Sequence, residues 1–475
     1  MIKVILTATV VAVACPAFSQ QVITGQAAFA DWNQQQPGVR RKITAADLLA
    51  PAPKEAVDNG PHLIPRPADA WPIAPPGFKV TLYAGGDFKP TAASSSQNNQ
   101  APSVPAAPST FREPRLLRTA PNGDIFMSDA HGDKVFVLRG VGPEGKALTI
   151  STFATGLNLP FGINFYPAKN PKWVYVGNTD SVVRFPYKSG DLVASGPSET
   201  VVAQLPGFAQ LRGGGHWTRD VIFTPDGSRM LVSVGSGSNL DNPDTTPKEF
   251  HRADILEFTP EGKFLKVYAS GIRNCVGEAI NPTTGQLWCS VNERDNLGNH
   301  LVPDYITSVK EGSFFGWPWY YIGAHSDPRV PTPCADGTAA KQQASAVSPD
   351  GNSCKHIDLS QKVTVPDVLV QPHMASLEMA FYTSSSGFPQ QYQGDAFAAE
   401  HGSWNRANRA GYEVIRIPMH NGVADGSYED FLTGFVTKDG KVWGRPVGVT
   451  IAHDGSMFVT DDGSRSVWHV TYEGR

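Results

Sequence analysis

From about residue 78 onward, short apolar stretches alternate with polar turns along the chain. Each unit has an apolar strand, a turn containing Gly, Asn or Asp, and a second strand of alternating or β-branched residues. The pattern predicts antiparallel strands joined by tight hairpins, because these turn residues tolerate positive φ. Six copies begin at LLRTAPNGDIFMSD, FGINFYPAKNPKWVYVGN, RDVIFTPDGSRMLVSVG, VGEAINPTTGQLWCSV, LEMAFYTSSSG and VGVTIAHDGSMFVTDD.

Six copies, each about as long as one four-stranded sheet, predict an all-β chain folded as a six-bladed β-propeller over residues 77–475. The strand KVTLYAGG near the start is expected to pair with the C-terminal strands and close the ring, which removes open sheet edges. A β-sandwich, or two of them, is the alternative that strand patterning leaves open.

The N-terminal part has a different character. Residues 1–19 have one Lys, an apolar run too short to span a bilayer and then small residues, which predicts a signal peptide. The protein is therefore expected to be periplasmic or secreted, with a lipid anchor at Cys15 as the minor alternative. Residues 20–76 are rich in Pro and Ala and predict an extended arm. Residues 87–110 predict a low-complexity insertion.

Composition narrows the function classes. The chain has 475 residues, 18% of them charged, and a net charge of −4, which gives no support for nucleic-acid binding. No stretch after the N-terminus is long and apolar enough to predict a transmembrane span. Removal of Cys15 with the signal leaves four Cys, an even number. The pairs Cys275–Cys289 and Cys334–Cys354 are expected, although three pairings are open.

Polar residues recur at one position, beside the inner strand of each copy, where a propeller presents its channel mouth. Taken singly, each is more often a surface or turn residue. A ring of cations around one axis is costly unless an anion binds there. The ring predicts a multiply charged anionic ligand, held by Arg115, Arg273 and Arg445, and Glu293 with Asp295 adds a site for a hard cation. The candidates are Arg115, Asn158, His216, Arg219, Arg273, Asn274, His373, His401, Trp404, Asn405, Arg406 and Arg445.

Several motifs resemble a known family. The runs YASGIRNCVGEAINPTTGQLW, NERD and EGSFFGWPWYYIG are similar to quinoprotein sugar dehydrogenases, the soluble glucose and sorbosone dehydrogenase group that uses pyrroloquinoline quinone (PQQ). The runs FATGLNLPFGINFYP, HWTRDVIFTPDG, HGSWNR and GRPVGVTIAHDG resemble the sorbosone branch especially. The likeness covers about residues 78–474.

The resemblance implies a six-bladed propeller with PQQ over its channel. It implies His216 as general base and Arg273 beside the quinone carbonyls. Ca²⁺ is expected near Glu293, Arg294 and Asp295, largely on main-chain oxygens. Where the glucose enzymes have an acidic residue that supports the base, this chain has Ser236. The implied cofactor contacts are Arg115, Asn158, Asp241, Arg273, Asn274, His373, His401, Arg406 and Arg445.

These observations predict a quinoprotein oxidoreductase that oxidises a sugar hydroxyl or hydrated aldehyde by hydride transfer to PQQ, with a quinone or cytochrome as external electron acceptor. The glycines at 213–215 are expected to bring His216 close to a flat cofactor. Two alternatives stay open, namely a Ca²⁺-dependent sugar lactonase and a non-catalytic binding propeller.

Overall fold

A computed structural model of the chain describes residues 21–87, 110–206, 215–243, 246–330 and 358–474. The predicted signal peptide, nearly all of the 87–110 insertion, and Cys15, Cys334 and Cys354 lie outside the described residues. Within the described part no helix has the length and apolar character needed to cross a membrane. The helices there are short 3-10 segments at Gly25–Ala28, Trp32–Gln34, Ala45–Asp47, Pro53–Glu55, Pro247–Glu249, Asp358–Lys362 and Gln390–Tyr392.

Six antiparallel sheets, each built around a four-stranded meander, confirm the six-bladed β-propeller. Blade 1 has Pro114–Thr119, Ile125–Asp129, Lys134–Val141 and Ala147–Thr155; blade 2 has Ile163–Tyr166, Trp173–Gly177, Val182–Pro186 and Glu199–Val202. Blade 3 has Val221–Phe223, Met230–Val234, Asp254–Phe258 and Phe264–Ser270; blade 4 has Cys275–Ile280, Leu287–Val291, Pro303–Val309 and Val368–Pro372. Blade 5 has Ser376–Phe381, Ala396–Glu400, Glu413–Ile417 and Tyr428–Leu432; blade 6 has Pro446–Ile451, Met457–Asp461, Ser466–Tyr472 and Phe78–Gly85. Two small hairpins pair Tyr320–Tyr321 with His325–Ser326 and Met419–His420 with Val423–Ala424.

The ring closes as the sequence predicts. The strand Phe78–Gly85 pairs antiparallel with Ser466–Tyr472, so that blade 6 combines the start and the end of the propeller. The first strands of consecutive blades contact one another all the way round, which places them next to the central axis. The N-terminal ends of these inner strands therefore converge on a common region.

Glycines permit the close approach of inner strands. A Cβ atom on Gly277 would lie 2.5 Å from the carbonyl oxygen of Leu377 in the next blade, and one on Gly448 would lie 2.4 Å from that of Arg115. Neither distance is compatible with a side chain. The axis is thus packed backbone against backbone at these two blade junctions.

The N-terminal residues contribute more regular structure than their composition indicates. Arg40–Lys42 pairs with Tyr428–Leu432, and Val22–Thr24 pairs with Arg40–Lys42, so that blade 5 becomes six-stranded. Arg41 forms a buried ion pair with Asp430. The physical reason is that the outer strand of a blade has unpaired N–H and C=O groups, and the arm satisfies them.

Four ionisable groups meet between the inner strands, namely the half-buried Arg118 and the buried carboxyl groups of Asp220, Glu278 and Glu378. The Nη2 atom of Arg118 lies 3.4 Å from Asp220 and 3.5 Å from Glu378. Glu278 belongs to the same group, since its main-chain N–H donates to Asp220 at 2.9 Å. The carboxylate oxygens of Glu278 and Glu378 have no hydrogen-bond partner, and burial raises the pKa of both well above 4.5.

Candidate active site

An open cavity lies where the N-terminal ends of the inner strands converge. Arginines from three separate blades, Arg115, Arg273 and Arg445, face this one space, as the sequence pattern predicts. The predicted residues that line it are Arg115, His216, Arg273, Asn274, Glu293, Asp295, His373, His401, Trp404 and Arg445.

His216 lies on the segment that leads into the inner strand of blade 3. Its Nδ1 atom is 2.9 Å from the carbonyl oxygen of Ser236 and 3.0 Å from the Ser236 hydroxyl. That hydroxyl donates to the carbonyl of Ser238 at 2.6 Å, so it accepts from the imidazole. Nδ1 therefore carries the proton, and Nε2 keeps the lone pair.

The environment of His216 keeps the imidazole neutral. Burial is the largest cause, followed by the positive charges of Arg273 and Arg252, and together they hold the pKa of His216 well below 6.5. The opposing effect, the hydrogen bond to Ser236, is smaller. The ring is consequently a proton acceptor across the neutral range.

A glycine outside the predicted run allows this packing. A Cβ atom on Gly235 would lie 2.1 Å from Oδ1 of Asn274 and 2.6 Å from Cβ of His216. Gly215 has φ of 76°, and the residues at 213–214 lie outside the described part of the chain. The glycine that brings imidazole and amide together in the described structure is Gly235.

Arg273 is held by oxygen atoms on two sides. Its Nη1 atom donates to the carbonyl of Glu293 at 2.6 Å, and Nη2 donates to Oδ1 of Asn239 at 2.9 Å and to Asp295 at 3.1 Å. Its Nε atom is buried and has no hydrogen-bond partner. The same is true of Oδ1 of the adjacent Asn274. These two atoms are a donor and an acceptor that the protein itself does not satisfy.

The other two arginines share a network. Asp462 accepts from Arg115 Nη1 at 2.5 Å and from His401 Nε2 at 2.9 Å. Arg445 Nη2 donates to Nδ1 of the same imidazole at 3.0 Å. Burial is the main reason that the pKa of His401 falls to about 4, so this ring is neutral and links the two guanidinium groups. Arg115 also lies over the ring of Trp217, 5.2 Å from its centroid.

Carboxylates occupy another part of the cavity lining. Glu293, Asp295 and Asp304 contribute to it, and the buried Oε1 atom of Glu293 has no hydrogen-bond partner. His373 adjoins them, with Nδ1 3.3 Å from Asp295. Oxygen-rich groups of this kind suit a hard divalent cation.

Four predicted contacts are not brought to the cavity. Asn158 donates to Asp180, and Asp241 is exposed at the surface. Arg294 is fully buried and donates to the carbonyls of Pro318 and Tyr320. Arg406 is directed to the N-terminal arm, where it donates to Ala30 and Asp31. Polar partners outside the cavity take the side chains of Asn158, Arg294 and Arg406 away from the axis.

Some lining or supporting residues were missed. Asp304 lines the cavity, and Asp462 supports two of its arginines. Asp462 directly follows the second strand of its blade, as Asn292 does in blade 4, so the repeat contained a signal for it. Asp304 lies inside a strand, and local pattern gives no signal for it.

A disulfide joins the two strands beneath the cavity. Cys275 and Cys289 are bonded, which agrees with one of the expected pairs. Cys275 directly follows Asn274, and Cys289 lies three residues before Asn292. The bond therefore links the two strands of blade 4 that present cavity residues.

The fold and site define a six-bladed propeller whose axial cavity offers several guanidinium groups and a neutral imidazole to one guest. Comparison with known proteins identifies it further. The chain belongs to the TrAA12-like family, whose profile matches residues 103–473. This membership confirms the resemblance to PQQ-dependent sugar dehydrogenases.

The relatives are distant in sequence. A pyrroloquinoline quinone-dependent pyranose dehydrogenase from Coprinopsis cinerea is 23% identical over 386 residues, which cover 72% of this chain and 51% of that protein. The chain thus spans about half the length of this relative.

Solved structures show the shared fold. The holo form of the PQQ domain of the Coprinopsis cinerea pyranose dehydrogenase matches with a TM-score of 0.63 at 19% identity, covering 87% of this chain and 100% of that one. A calcium structure of the AA12 enzyme from Trichoderma reesei matches with a TM-score of 0.62 at 16% identity, covering 88% and 98%.

Proposed function

We propose that the protein is a PQQ-dependent oxidoreductase that oxidises a sugar hydroxyl or a hydrated aldehyde of the sorbosone or aldose type. One observation carries the proposal, namely that Arg115, Arg273 and Arg445 face one cavity beside the neutral imidazole of His216. Cations from separate blades are costly together unless a polyanion joins them. PQQ is planar and carries several carboxylates.

The unsatisfied atoms of the cavity fit such a guest. The Nε atoms of Arg115 and Arg273 are buried donors without partners, and Asn274 Oδ1 is a buried acceptor without one. Arg115 and Arg445 would bind carboxylates, and Arg273 with Asn274 would bind the ring edge. Bound there, PQQ supplies the hydride acceptor.

His216 supplies the base. Its Nδ1–H is directed to Ser236, so Nε2 is the atom that takes the proton of the substrate hydroxyl. The low pKa keeps Nε2 unprotonated before substrate binds. Arg273, on the same cavity, stabilises negative charge as it develops.

A calcium ion is part of the proposal. Glu293 and Asp295, together with Asp304, offer carboxylate oxygens on the cavity, and Oε1 of Glu293 is buried without a partner. The Arg294 side chain is committed elsewhere, so that residue would contribute only its main-chain oxygen. The calcium-bearing AA12 relative is consistent with this choice of metal.

The experiment is reconstitution followed by a dye-reduction assay. Purified protein is mixed with PQQ and Ca²⁺, and dye reduction is measured with aldoses, pyranoses and sorbosone. His216→Ala is expected to bind PQQ normally while turnover falls by about 10²- to 10⁴-fold. His420→Ala, on an exposed hairpin, is the matched control.

Three outcomes would contradict the proposal. Near-normal turnover of His216→Ala would show that His216 is not the base that accepts the substrate proton. Lactone hydrolysis without PQQ, accompanied by no dye reduction, would favour the lactonase instead. Failure of the wild-type protein to bind PQQ or to turn over any substrate would favour a binding propeller.

A further inference from the structure

Arg252 connects the two segments that meet at the His216 imidazole. It is buried just before the third strand of blade 3. Its Nε atom donates to the carbonyl of Gly235 at 2.9 Å, and Nη2 donates to that of Ser236 at 2.8 Å and to that of His216 at 3.1 Å. One rigid guanidinium therefore fixes three carbonyl groups on both sides of the ring.

The neighbouring Arg219 makes a different set of contacts. Its Nη1 atom also donates to the carbonyl of His216, at 3.0 Å, but its other main-chain partners are Thr218 and Pro206. It supports the His216 segment without reaching the Gly235–Ser236 turn. Arg252 is thus the arginine that ties this turn to the histidine.

The turn contact matters because the Ser236 carbonyl also holds His216. It accepts from the main-chain N–H of His216 at 3.1 Å, from Nδ1 of the imidazole at 2.9 Å and from Nη2 of Arg252 at 2.8 Å. Arg252 is the donor of these three that does not belong to His216. If the guanidinium were lost, this oxygen would be bonded to His216 alone, and the bond that anchors the turn and the ring to the third strand of blade 3 would be gone.

We propose that Arg252 is a positioning residue that holds the base His216 and the Gly235–Ser236 turn in their reactive arrangement. The proposal rests on the proposed function, in which His216 accepts the substrate proton. A carboxylate beside Nδ1 would make the imidazole more basic, whereas a carbonyl tied to a guanidinium keeps it weakly basic. The charged groups that act most strongly on the ring are three cations, Arg273, Arg252 and Arg219.

Two substitutions separate geometry from charge. Arg252→Lys keeps a cation but loses the planar fork that reaches three carbonyls. Arg252→Met removes the cation. Arg229→Lys is the matched control, because Arg229 lies in the same blade at the turn before Met230–Val234 and pairs with Glu257.

The first measurement is the pH profile of kcat in the reconstituted enzyme. Arg252→Lys is expected to lower kcat by about 10²-fold, the size of effect expected when a reacting group is displaced by about 1 Å. Arg252→Met is expected to shift the acid limb of the profile to higher pH, because a positive charge near the imidazole is gone. The affinity for PQQ is expected to stay within about twofold in both variants.

The second measurement uses the apoprotein and does not depend on activity. Nitrogen-15 spectra of histidine-labelled protein report the tautomer and titration of His216, which is assigned with His216→Ala. Wild-type protein is expected to show Nδ1–H at neutral pH, and Arg252→Met is expected to titrate nearer pH 6.5.

Unchanged ring resonances and titration in both variants would overturn the proposal, as would a wild-type kcat and pH profile for Arg252→Lys. If the wild-type protein reduces no dye, the proposed function fails, and the spectra still decide whether Arg252 positions the ring. If Arg252→Met does not fold, Arg252→Lys provides both measurements.

Discussion

Replacing Glu278 with Gln is expected to stabilise the folded protein at neutral pH. Glu278 lies on the inner strand of blade 4, fully buried, and neither carboxylate oxygen has a hydrogen-bond partner. Burial is the largest cause of its raised pKa, and repulsion by Asp220 comes next, whereas Arg118 opposes both. An amide of the same shape carries no charge and can donate to the neighbouring carboxylates.

The magnitude follows from the pKa of 4.5 that the carboxyl has when it is exposed. Between that pH and the higher folded pKa, the folded state binds more protons than the unfolded state, so stability falls as pH rises. The loss is up to about 1.4 kcal/mol for each pH unit within that interval. With an unfolding entropy of about 1 kcal/mol/K for a chain of this length, each kcal/mol that the substitution restores raises Tm by about 1 °C.

Calorimetry of the apoprotein at pH 4.5 and at pH 7.5 tests this reasoning. The gain in Tm is expected at pH 7.5 and is expected to be small near pH 4.5, where the carboxyl of the unfolded state is already half protonated. Glu144→Gln, on an exposed residue paired with Lys146, is the control and is expected to change little at either pH. An equal gain at both pH values, or a loss at pH 7.5, would refute the burial argument.

Two further substitutions test the supports of the site. The double change Cys275→Ser and Cys289→Ser removes a disulfide bond with a sequence separation of 14. The free energy of unfolding is expected to fall by about 3 kcal/mol, which lowers Tm by about 3 °C. PQQ is expected to bind more weakly in a fluorescence titration. Equal PQQ affinity would show that the bond does not shape the cavity. Arg406→Met is expected to speed proteolysis of the N-terminal arm, because contacts to Ala30 and Asp31 are lost, while PQQ affinity is unchanged. A large loss of PQQ affinity would instead support the cofactor contact that the sequence indicates.

The features that the sequence predicts well are those with a local cause. Tight turns and alternating apolar residues determine the hairpins, and their sixfold recurrence determines the propeller. Ring closure by Phe78–Gly85 follows from the rule that sheet edges are covered. The convergence of Arg115, Arg273 and Arg445 follows from the same repeat, because equivalent positions in successive blades face one axis.

The features that the sequence does not predict depend on packing between segments that are far apart in the chain. The pairing of Arg40–Lys42 with blade 5 joins residues nearly 400 positions apart, and composition does not show it. Gly235 resembles many turn glycines in sequence. Its role appears only when Asn274 and His216 are both placed against it.

The arginines show where repeat position stops being informative. Arg445 and Arg406 both lie in loops near inner strands, yet one lines the cavity and the other contacts the arm. The difference is the available oxygen partners: Arg445 meets a neutral imidazole that Asp462 orients, whereas Arg406 meets Asp31 and the carbonyl of Ala30. A buried guanidinium lies where oxygen or nitrogen acceptors satisfy its N–H groups. The loop position therefore predicts which arginines are able to reach the axis. The acceptors that surround each side chain determine which of them line the cavity.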